Sequence, residues 1–365
     1  MTSLFGIRNM GNTCYLNSVI HCLRYNSDLE TYLLSNKFEK EFKDKSDKRL
    51  KGLDHEYKRN LEMLKKLEDG PEKDFKIRMI NHQLAQFKKN MKYPLIESFA
   101  NILKKTKRIT PKTIIRPESF INKLDRDFME VALNQNDAHE ALIFLLDNFH
   151  TTISKNVKIK KISGISDDSS DNWKKFYEKD FSEIIRIFFG QYEINVKCNK
   201  CKNVSTNFEP YNHISVELTS NLTKSLDISL SEEDVEKRCE KCSTEENVEM
   251  TKQFSISMFP AHLIIQIKRF NYVDGRSVKI KGKIEVPELI DLSKYYAYKN
   301  RYGMYKLYAG IIHRGTPTNG HYISYCKGPD DFWVEYDDET VRTPINAPRL
   351  KSLKEESYVL FYKKL

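Results

Sequence analysis

Four of the seven cysteines stand in two pairs of the form Cys-x-x-Cys. A turn of this spacing directs two thiolates at one point, and two such turns complete a tetrahedral site for Zn²⁺. A redox-active pair is the alternative, but it normally occurs singly beside a β-α-β unit, which is not evident here. Each pair adjoins a predicted strand, so the metal would clamp the tip of an extended β-structure. The spacing therefore predicts one structural zinc ion held by Cys198, Cys201, Cys239 and Cys242.

The charge pattern argues against nucleic acid as a partner. The segment EEDVEKRCEKCSTEENVE around the second cysteine pair is strongly acidic and would repel phosphates. The net charge is +10, but residues 37–92 mix 17 Lys and Arg with 11 Asp and Glu. Interspersed signs are typical of a solvated helix face. We therefore expect no nucleic acid as a partner, whereas a protein ligand with a basic face would not be repelled near the second pair.

A fifth cysteine, Cys14, has surroundings suited to nucleophilic chemistry. Apolar residues at helical spacing predict a helix over residues 13–25, with Cys14 in its first turn. There the positive end of the helix dipole favours a thiolate. The preceding loop holds two glycines, which let backbone approach a ligand, and two asparagines, which offer amide donors: Gly6, Gly11, Asn9 and Asn12. Cys22 and Cys326 lie in apolar patterns and are predicted to be small buried hydrophobes.

A cysteine nucleophile needs an imidazole base, and the imidazole needs an acceptor that fixes its tautomer. His321 follows the turn HRGTPTNG and begins the predicted strand HYISYC, whereas His313 is predicted to be structural or adjacent to substrate. The next strand, FWVEY, ends in the carboxylates Asp337 and Asp338. In an antiparallel meander the end of the second strand lies beside the start of the first. We therefore expect Asp337 to reach His321, with Asp338 as the alternative.

The elements that must position these groups change in character along the chain. Helical patterns come first, the leading two highly charged and separated by Gly70-Pro71: residues 50–67, 75–91, 95–105 and 117–150. A Ser- and Asp-rich loop over 163–171 follows, and strand patterns begin near residue 187. Helices followed by strands predict an α+β fold with a helical lobe facing a sheet lobe.

Composition is typical of a folded chain without disulfides or a membrane span. The 365 residues include 12% aromatics, enough for a substantial core. No run of about 20 apolar residues and no secretory signal is present, which predicts a cytoplasmic or nuclear location. An odd number of cysteines without an export signal argues against a disulfide framework.

Several segments, in order, resemble the ubiquitin-specific protease family of deubiquitinases. They are GIRNMGNTCYLNS, NQNDAHEALIFLLDNF, the two cysteine pairs, LIIQIKRFNY, HRGTPTNGHYISYC with FWVEYDDETV, and SYVLFYKK. The resemblance runs from about residue 5 to 363 and is weakest over 37–92. It implies a papain-like cysteine protease with a helical thumb, a β palm and zinc-clamped β fingers. One catalytic domain over residues 1–365 would divide into thumb (about 1–36 and 93–185), charged helical insertion (37–92), fingers (186–255) and palm (256–365).

Carried across position by position, the resemblance implies a role for each residue of the predicted site. Cys14 would be the nucleophile, His321 the base and Asp337 the residue that orients the base, with Asp338 in support. Asn9 matches the family's side-chain donor to the oxyanion hole. Two further residues match positions near the substrate tail: Gln135 and Asp137. The thiolate would attack the carbonyl of the terminal glycine of ubiquitin, and water would hydrolyse the acyl-enzyme.

The sequence departs from the family pattern at three positions. Asn136 and Ala141 replace a common Gln and aromatic residue, and His213 replaces a residue that is usually apolar or acidic. Two alternatives stay open, namely a ubiquitin-binding scaffold without catalysis and an enzyme for a ubiquitin-like modifier. The implied partners are ubiquitin or ubiquitinated proteins, and an activating protein partner is compatible with the resemblance.

Overall fold

The fold is given by a computed structural model, which describes residues 4–65, 70–92, 94–107, 113–124, 135–242, 246–273, 275–299, 302–317, 319–328 and 330–365. Helices dominate up to residue 188 and strands dominate after it. The α+β class expected from the order of the patterns is therefore confirmed. None of the helices in these ranges is both long and apolar enough to cross a membrane.

The helical lobe contains nine described helices and one short parallel strand pair. The helices are α1 (Cys14–Arg24), α2 (Ser27–Leu33), α3 (Asn36–Lys65), α4 (Pro71–Lys92), α5 (Leu95–Thr106), α6 (Glu118–Ile121), α7 (Ala138–Ile153), α8 (Asp167–Tyr177) and α9 (Glu183–Phe188). The strands are β1 (Phe5–Ile7) and β2 (Thr113–Ile115).

The strands of the second half form a large and a small sheet. The elements are β3 (Gly190–Cys198), β4 (Val204–Tyr211), β5 (Ile214–Glu217), α10 (Leu222–Ser229), β6 (Glu233–Arg238), β7 (Asn247–Met258), β8 (His262–Lys268), β9 (Phe270–Val273), β10 (Arg276–Lys279), β11 (Leu289–Asp291), β12 (Met304–Gly315), β13 (Gly320–Lys327), β14 (Trp333–Asp337), β15 (Thr340–Arg342), α11 (Ala347–Glu356) and β16 (Ser357–Lys364). Within the described ranges the large sheet has the order β15-β14-β13-β12-β16-β8-β5, with β11 beside β12. The small sheet has the order β4-β3-β7-β6, and β9 and β10 form a separate hairpin.

Helix α1 is the element that joins the two lobes. All of its residues are buried, and it packs against α7 on one side and β13 on the other. Leu16, Val19 and Ile20 have no exposed surface, and burying a side chain of this size contributes about 1.5–3 kcal/mol. This packing fixes the first residue of α1, Cys14, at the boundary between the helical lobe and the large sheet.

The two charged helices, α3 and α4, contact each other, and their bounds differ from the predicted ones. Helix α3 begins at Asn36, well before residue 50, because Phe38 is buried against the body of the helical lobe. Salt bridges from Glu39 to Lys104 and from Glu41 to Lys155 attach its first turns to that body. Helix α4 begins at Pro71, which suits the first helical position. The predicted end of α3 falls on residues 66–69, which lie outside the described residues.

Two predicted elements are wrong in part. Residues 117–150 do not form one helix, since α6 ends at Ile121 and α7 begins only at Ala138; residues 125–134 lie outside the described residues. The expected loop over 163–171 contains the start of α8. Ser166 caps that helix by accepting a hydrogen bond from the Ser169 N–H at 3.1 Å, and acidic residues fill its first turn.

Candidate functional site

Cys14 lies at the edge of a cleft between the helical lobe and the large sheet. The cleft has a volume of about 380 Å³, and its walls include Cys14, Gln135, Asp137 and Gly320. Cys14 is only 5% exposed. Gly11 and Asn12 precede it with left-handed φ angles of 98° and 55°. These two residues turn the chain sharply, so that α1 starts with its first side chain at the cleft.

Thr13 is the N-cap residue of α1, but its side chain does not cap the helix. Its hydroxyl instead accepts a hydrogen bond from the Met10 N–H at 2.9 Å and lies 3.3 Å from Asn9 Oδ1. The Thr13 side chain therefore stabilises the loop before Cys14 through these hydrogen bonds.

His321 is bound by both of its predicted partners. Its Nε2 lies 2.7 Å from Asp337 Oδ1, and its imidazole also hydrogen-bonds the Cys14 side chain. The contact with Asp337, followed by that with Cys14, raises the pKa of His321 to about 10. Contact with His321 in turn lowers the pKa of the Asp337 carboxyl. At neutral pH the arrangement therefore favours an imidazolium between a carboxylate and the sulfur.

The register of the large sheet explains this contact. Strands β13 and β14 are antiparallel, with Ser324 opposite Tyr336. His321 lies at the start of β13 and Asp337 at the end of β14, so the two side chains meet at one end of the strand pair. The same end faces the first turn of α1.

Asp338 has a different set of partners from Asp337. Its Oδ1 accepts a hydrogen bond from Asn17 Nδ2 at 2.8 Å, and its Oδ2 accepts one from Asn9 Nδ2, also at 2.8 Å. Asp338 is 8% exposed and has a left-handed φ of 49°. Burial raises the pKa of its carboxyl. Asp337, not Asp338, thus faces His321, and Asp338 ties the asparagines to the end of the sheet.

Asn9 is held by several hydrogen bonds in the loop before Cys14. Its Oδ1 accepts hydrogen bonds from the backbone N–H groups of Gly11 and Thr13, both at 3.1 Å. A side-chain amide carries two hydrogens on nitrogen. The bond to Asp338 uses one and fixes the plane of the amide, which leaves the second hydrogen for another acceptor.

Gly6 does not approach a ligand, contrary to the expectation from the sequence. A Cβ at Gly6 would lie 2.3 Å from the backbone oxygen of Glu339. The adjacent Ile7 N–H donates to the Asp338 carbonyl at 2.9 Å. Gly6 is therefore needed because β1 packs directly on the turn that carries Asp338.

Gln135 and Asp137 both connect the helical lobe to the sheet across the cleft. Gln135 Oε1 accepts a hydrogen bond from the Gly320 N–H at 2.9 Å. Asp137 caps α7, since its Oδ1 accepts from the His139 N–H at 2.7 Å. Its Oδ2 accepts from the hydroxyls of Tyr358 at 2.6 Å and Tyr322 at 3.2 Å. These bonds fix the width of the cleft next to Cys14 and His321.

Two further histidines, His139 and His313, line the cleft. The sequence pattern indicated a structural or substrate-adjacent role for His313 and no role for His139. His139 packs edge-on against His213, with ring centres 4.5 Å apart. Burial, then the electrostatic effect of the neighbouring His213, lowers the pKa of His139 to about 3. Burial, assisted by Lys279, lowers the pKa of His313 to about 4. Among these histidines only His321, which has a carboxylate partner, has a raised pKa.

The two cysteine pairs meet at the end of the small sheet. Cys198 Sγ lies 3.7 Å from Cys242 Sγ, and Cys201 Sγ lies 3.6 Å from Cys239 Sγ. All four sulfurs lie within 4.8 Å of one another. A tetrahedron with zinc–sulfur bonds of about 2.3 Å needs sulfurs about 3.8 Å apart. The cluster is a four-sulfur site of the size that a tetrahedral metal ion requires.

Comparison with known proteins agrees with the resemblance in the sequence. A family model described as ubiquitin carboxyl-terminal hydrolase matches residues 5–362. The chain is 30% identical to the ubiquitin carboxyl-terminal hydrolase Usp2 of Drosophila melanogaster, over 99% of the chain and 35% of that protein. It is 26% identical to ubiquitin carboxyl-terminal hydrolase 2 of Homo sapiens, over 98% of the chain and 55% of that protein. The chain thus spans about a third to a half of the length of these curated relatives.

The fold has a counterpart among solved structures. The SAGA Ubp8/Sgf11/Sus1/Sgf73 DUB module bound to ubiquitin aldehyde contains a chain that matches with a TM-score of 0.66 and 20% identity. The match covers 100% of the present chain and 70% of that one. Because the family model matches nearly the whole chain, from residue 5 to residue 362, the chain belongs to the ubiquitin carboxyl-terminal hydrolase family.

Proposed function

We propose that this chain is a cysteine-type deubiquitinase, which hydrolyses the peptide or isopeptide bond after the C-terminal glycine of ubiquitin. The observation that carries the proposal is the hydrogen-bonded row of Cys14, His321 and Asp337 at the edge of an open cleft. The names of the curated relatives support the same activity.

The first half of the proposed reaction forms an acyl-enzyme. The Cys14 thiolate attacks the glycine carbonyl, and the imidazolium of His321 gives its proton to the departing amine. In the second half neutral His321 takes a proton from water, and the hydroxide releases the ubiquitin carboxylate. Asp337 holds the imidazole throughout through its 2.7 Å contact with Nε2.

The negative charge that develops on the carbonyl oxygen needs hydrogen-bond donors. We assign this role to Asn9, whose Nδ2 is anchored by Asp338 and whose Oδ1 is anchored by the loop before Cys14. A donor fixed in advance stabilises the transition state without reorganising during the reaction. Asp338 would then act through Asn9, as a positioning residue.

The cleft beside Cys14 suits a thin, extended peptide such as the tail of ubiquitin. Gln135 and Asp137 lie in its wall, and both are tied to the opposite lobe. We propose that they set the width of the channel and contact the tail mainly through neighbouring backbone groups, because Asp137 already accepts hydrogen bonds at both oxygens.

Hydrolysis of ubiquitin with a fluorogenic amide at its C-terminus tests the proposal. We expect release of the fluorophore by the purified chain, and the same amide on the last five residues of ubiquitin serves as the control for the need for a folded substrate. A catalytically silent scaffold would bind ubiquitin without any release. Faster release from a ubiquitin-like modifier than from ubiquitin would reassign the substrate.

We also propose that the four-sulfur cluster holds a structural Zn²⁺. Four thiolates would complete the coordination shell and leave no position for water, so the metal would fold the end of the small sheet and take no part in hydrolysis. We expect elemental analysis to give one zinc per chain. Replacing Cys198 with Ser is expected to lower the zinc content and destabilise the small sheet, whereas Cys326→Ser, outside the cluster, leaves the zinc content unchanged. A metal-free chain with the same melting temperature would contradict this role.

The division into subdomains and the partners are proposals of the same kind. We assign the small sheet to the fingers (186–255), the large sheet to the palm (256–365) and the helices to the thumb (about 1–36 and 93–185), with 37–92 as an insertion. Strand β5 lies within the range of the fingers but pairs with β8 of the large sheet. Ubiquitin or ubiquitinated proteins are the proposed partners. A location in the cytoplasm or nucleus stays a prediction from the sequence.

A further inference from the structure

Strands β14 and β15 bring an ion pair against the side of Asp337 that does not face His321. Glu335 lies directly opposite Arg342 in the register of this antiparallel pair. Side chains two residues apart on a strand share a face of the sheet, so Glu335 and Asp337 point the same way. Arg342 is therefore placed where it can contact both carboxylates.

The contacts of Arg342 follow this register. Its guanidinium Nη1 donates to Glu335 Oε1 at 2.5 Å and lies 3.4 Å from Asp337 Oδ2. Glu335 is 2% exposed, and its other oxygen accepts a hydrogen bond from the Tyr325 hydroxyl at 2.9 Å. A buried carboxylate held at both oxygens is a rigid anchor for the guanidinium. Arg342 in turn is fixed beside Asp337.

We propose that Arg342, anchored by Glu335, is a positioning residue that holds the Asp337 carboxylate so that its Oδ1 faces His321. This inference rests on the proposed function, in which Asp337 orients the base. One carboxylate oxygen then serves His321 and the other is held by the guanidinium. Without Arg342 the Asp337 side chain is free to rotate, and the imidazole loses part of its orientation.

Arg342 also sets the charge balance around the imidazole. The ionisable groups around this cluster include Cys14 on α1, His321 and Tyr325 on β13, Glu335 on β14, and Asp338 and Glu339 in the turn before β15. Arg342 lowers the pKa of Asp337, as a second cause after His321. Removing this positive charge favours the protonated forms of Asp337 and His321 and so raises the pKa of both groups. Each limb of the activity–pH profile should therefore move to higher pH when Arg342 is neutralised.

Three variants test the proposal: Arg342→Gln, Arg342→Lys and Glu335→Gln. Arg342→Gln is expected to lower kcat for hydrolysis of the ubiquitin amide about tenfold with little change in KM, since the lost interaction is one of orientation. Both limbs of its profile should move upward by about half a pH unit. Arg342→Lys keeps the charge and should retain the wild-type limbs. Glu335→Gln removes a negative charge and should move the limbs to lower pH.

A second readout does not depend on ubiquitin. The rate of Cys14 alkylation by iodoacetamide is followed by mass across the pH range. Its pH dependence should shift to higher pH in Arg342→Gln and stay unchanged in Arg342→Lys. A wild-type chain whose Cys14 is alkylated but which never cleaves ubiquitin would refute the proposed function. The pH dependence of alkylation would still test the role of Arg342. If Arg342→Gln shows unshifted limbs and only a lower melting temperature, the proposal is wrong, and Arg342 only stabilises the edge of the sheet through its ion pair with Glu335. If Arg342→Gln does not fold, Glu335→Gln and Arg342→Lys decide the question: limbs at lower pH in Glu335→Gln with unshifted limbs in Arg342→Lys support the proposal, and unshifted limbs in Glu335→Gln overturn it.

Discussion

Replacing Cys14 with Ala is expected to lower hydrolysis of ubiquitin conjugates to background, a loss of about 10⁴-fold or more. Cys14 supplies the sulfur that forms the acyl-enzyme, and no other cysteine among the described residues lines the cleft. The substitution removes only one sulfur from the first turn of α1. Ubiquitin should therefore bind Cys14→Ala with an affinity within a few-fold of wild type, as measured by calorimetry.

Cys22→Ala is the matched control for this prediction. Cys22 lies two turns along the same helix and is completely buried, with its sulfur 3.9 Å from the Gly310 carbonyl oxygen. Its replacement should cost about 1 kcal/mol of stability and leave turnover nearly unchanged. Substantial turnover by Cys14→Ala, or equal losses in the two variants, would show that Cys14 is not the nucleophile.

Replacing His321 with Ala is expected to lower turnover about 10³-fold, and Asp337→Asn about 10²-fold. The difference follows from the contacts of the imidazole. Without Asp337, His321 keeps its hydrogen bond to Cys14 and can still transfer protons, although in a less fixed orientation. Steady-state kinetics of the two variants measure this order directly.

The ionisation of His321 tests the same account independently. Because Asp337 is the largest cause of the raised pKa of His321, an NMR titration should give a midpoint near pH 10 in the wild-type chain and a lower one in Asp337→Asn. Asp338→Asn is the matched control, since Asp338 contacts Asn9 and Asn17 and not the imidazole. A larger fall in Asp338→Asn than in Asp337→Asn would exchange the roles of the two acids.

The sequence predicted those parts of the site that depend on local pattern. Helical spacing placed Cys14 at the start of α1, and strand order placed Asp337 near His321. The cysteine spacing predicted the four-sulfur cluster. Each of these predictions needs only a helix turn, a meander or a short loop, whose geometry is nearly independent of the rest of the chain.

Contacts between distant segments could not be predicted in this way. The sequence offered Asp337 and Asp338 as orienters, and only the backbone turn with φ of 49° at Asp338 directs the second carboxylate to Asn9 and Asn17. The sequence pattern predicted that the backbone at Gly6 approaches a ligand. In the structure its neighbour is the backbone of Glu339, which is over 300 residues away along the chain. The role of Arg342 likewise depends on the register of β15 against β14.

The predicted helix boundaries are wrong at two positions where a polar side chain caps a helix. Asp137 looked like part of a long polar helix, but it caps α7 and also binds two tyrosines of the sheet. Ser166 similarly starts α8 inside a segment that composition marked as a loop. In both cases the capping bond, which spans only two or three residues, determines where the helix begins.

The most direct test of the central claim is the reaction of the zinc-loaded chain with ubiquitin that carries an alkyne electrophile at its C-terminus, read by intact mass. We expect one adduct of the mass of ubiquitin, mapped to Cys14 by peptide analysis and absent from Cys14→Ala. No adduct from the folded wild-type chain, or an adduct that persists in Cys14→Ala, would contradict the claim that Cys14 in this cleft attacks the C-terminus of ubiquitin.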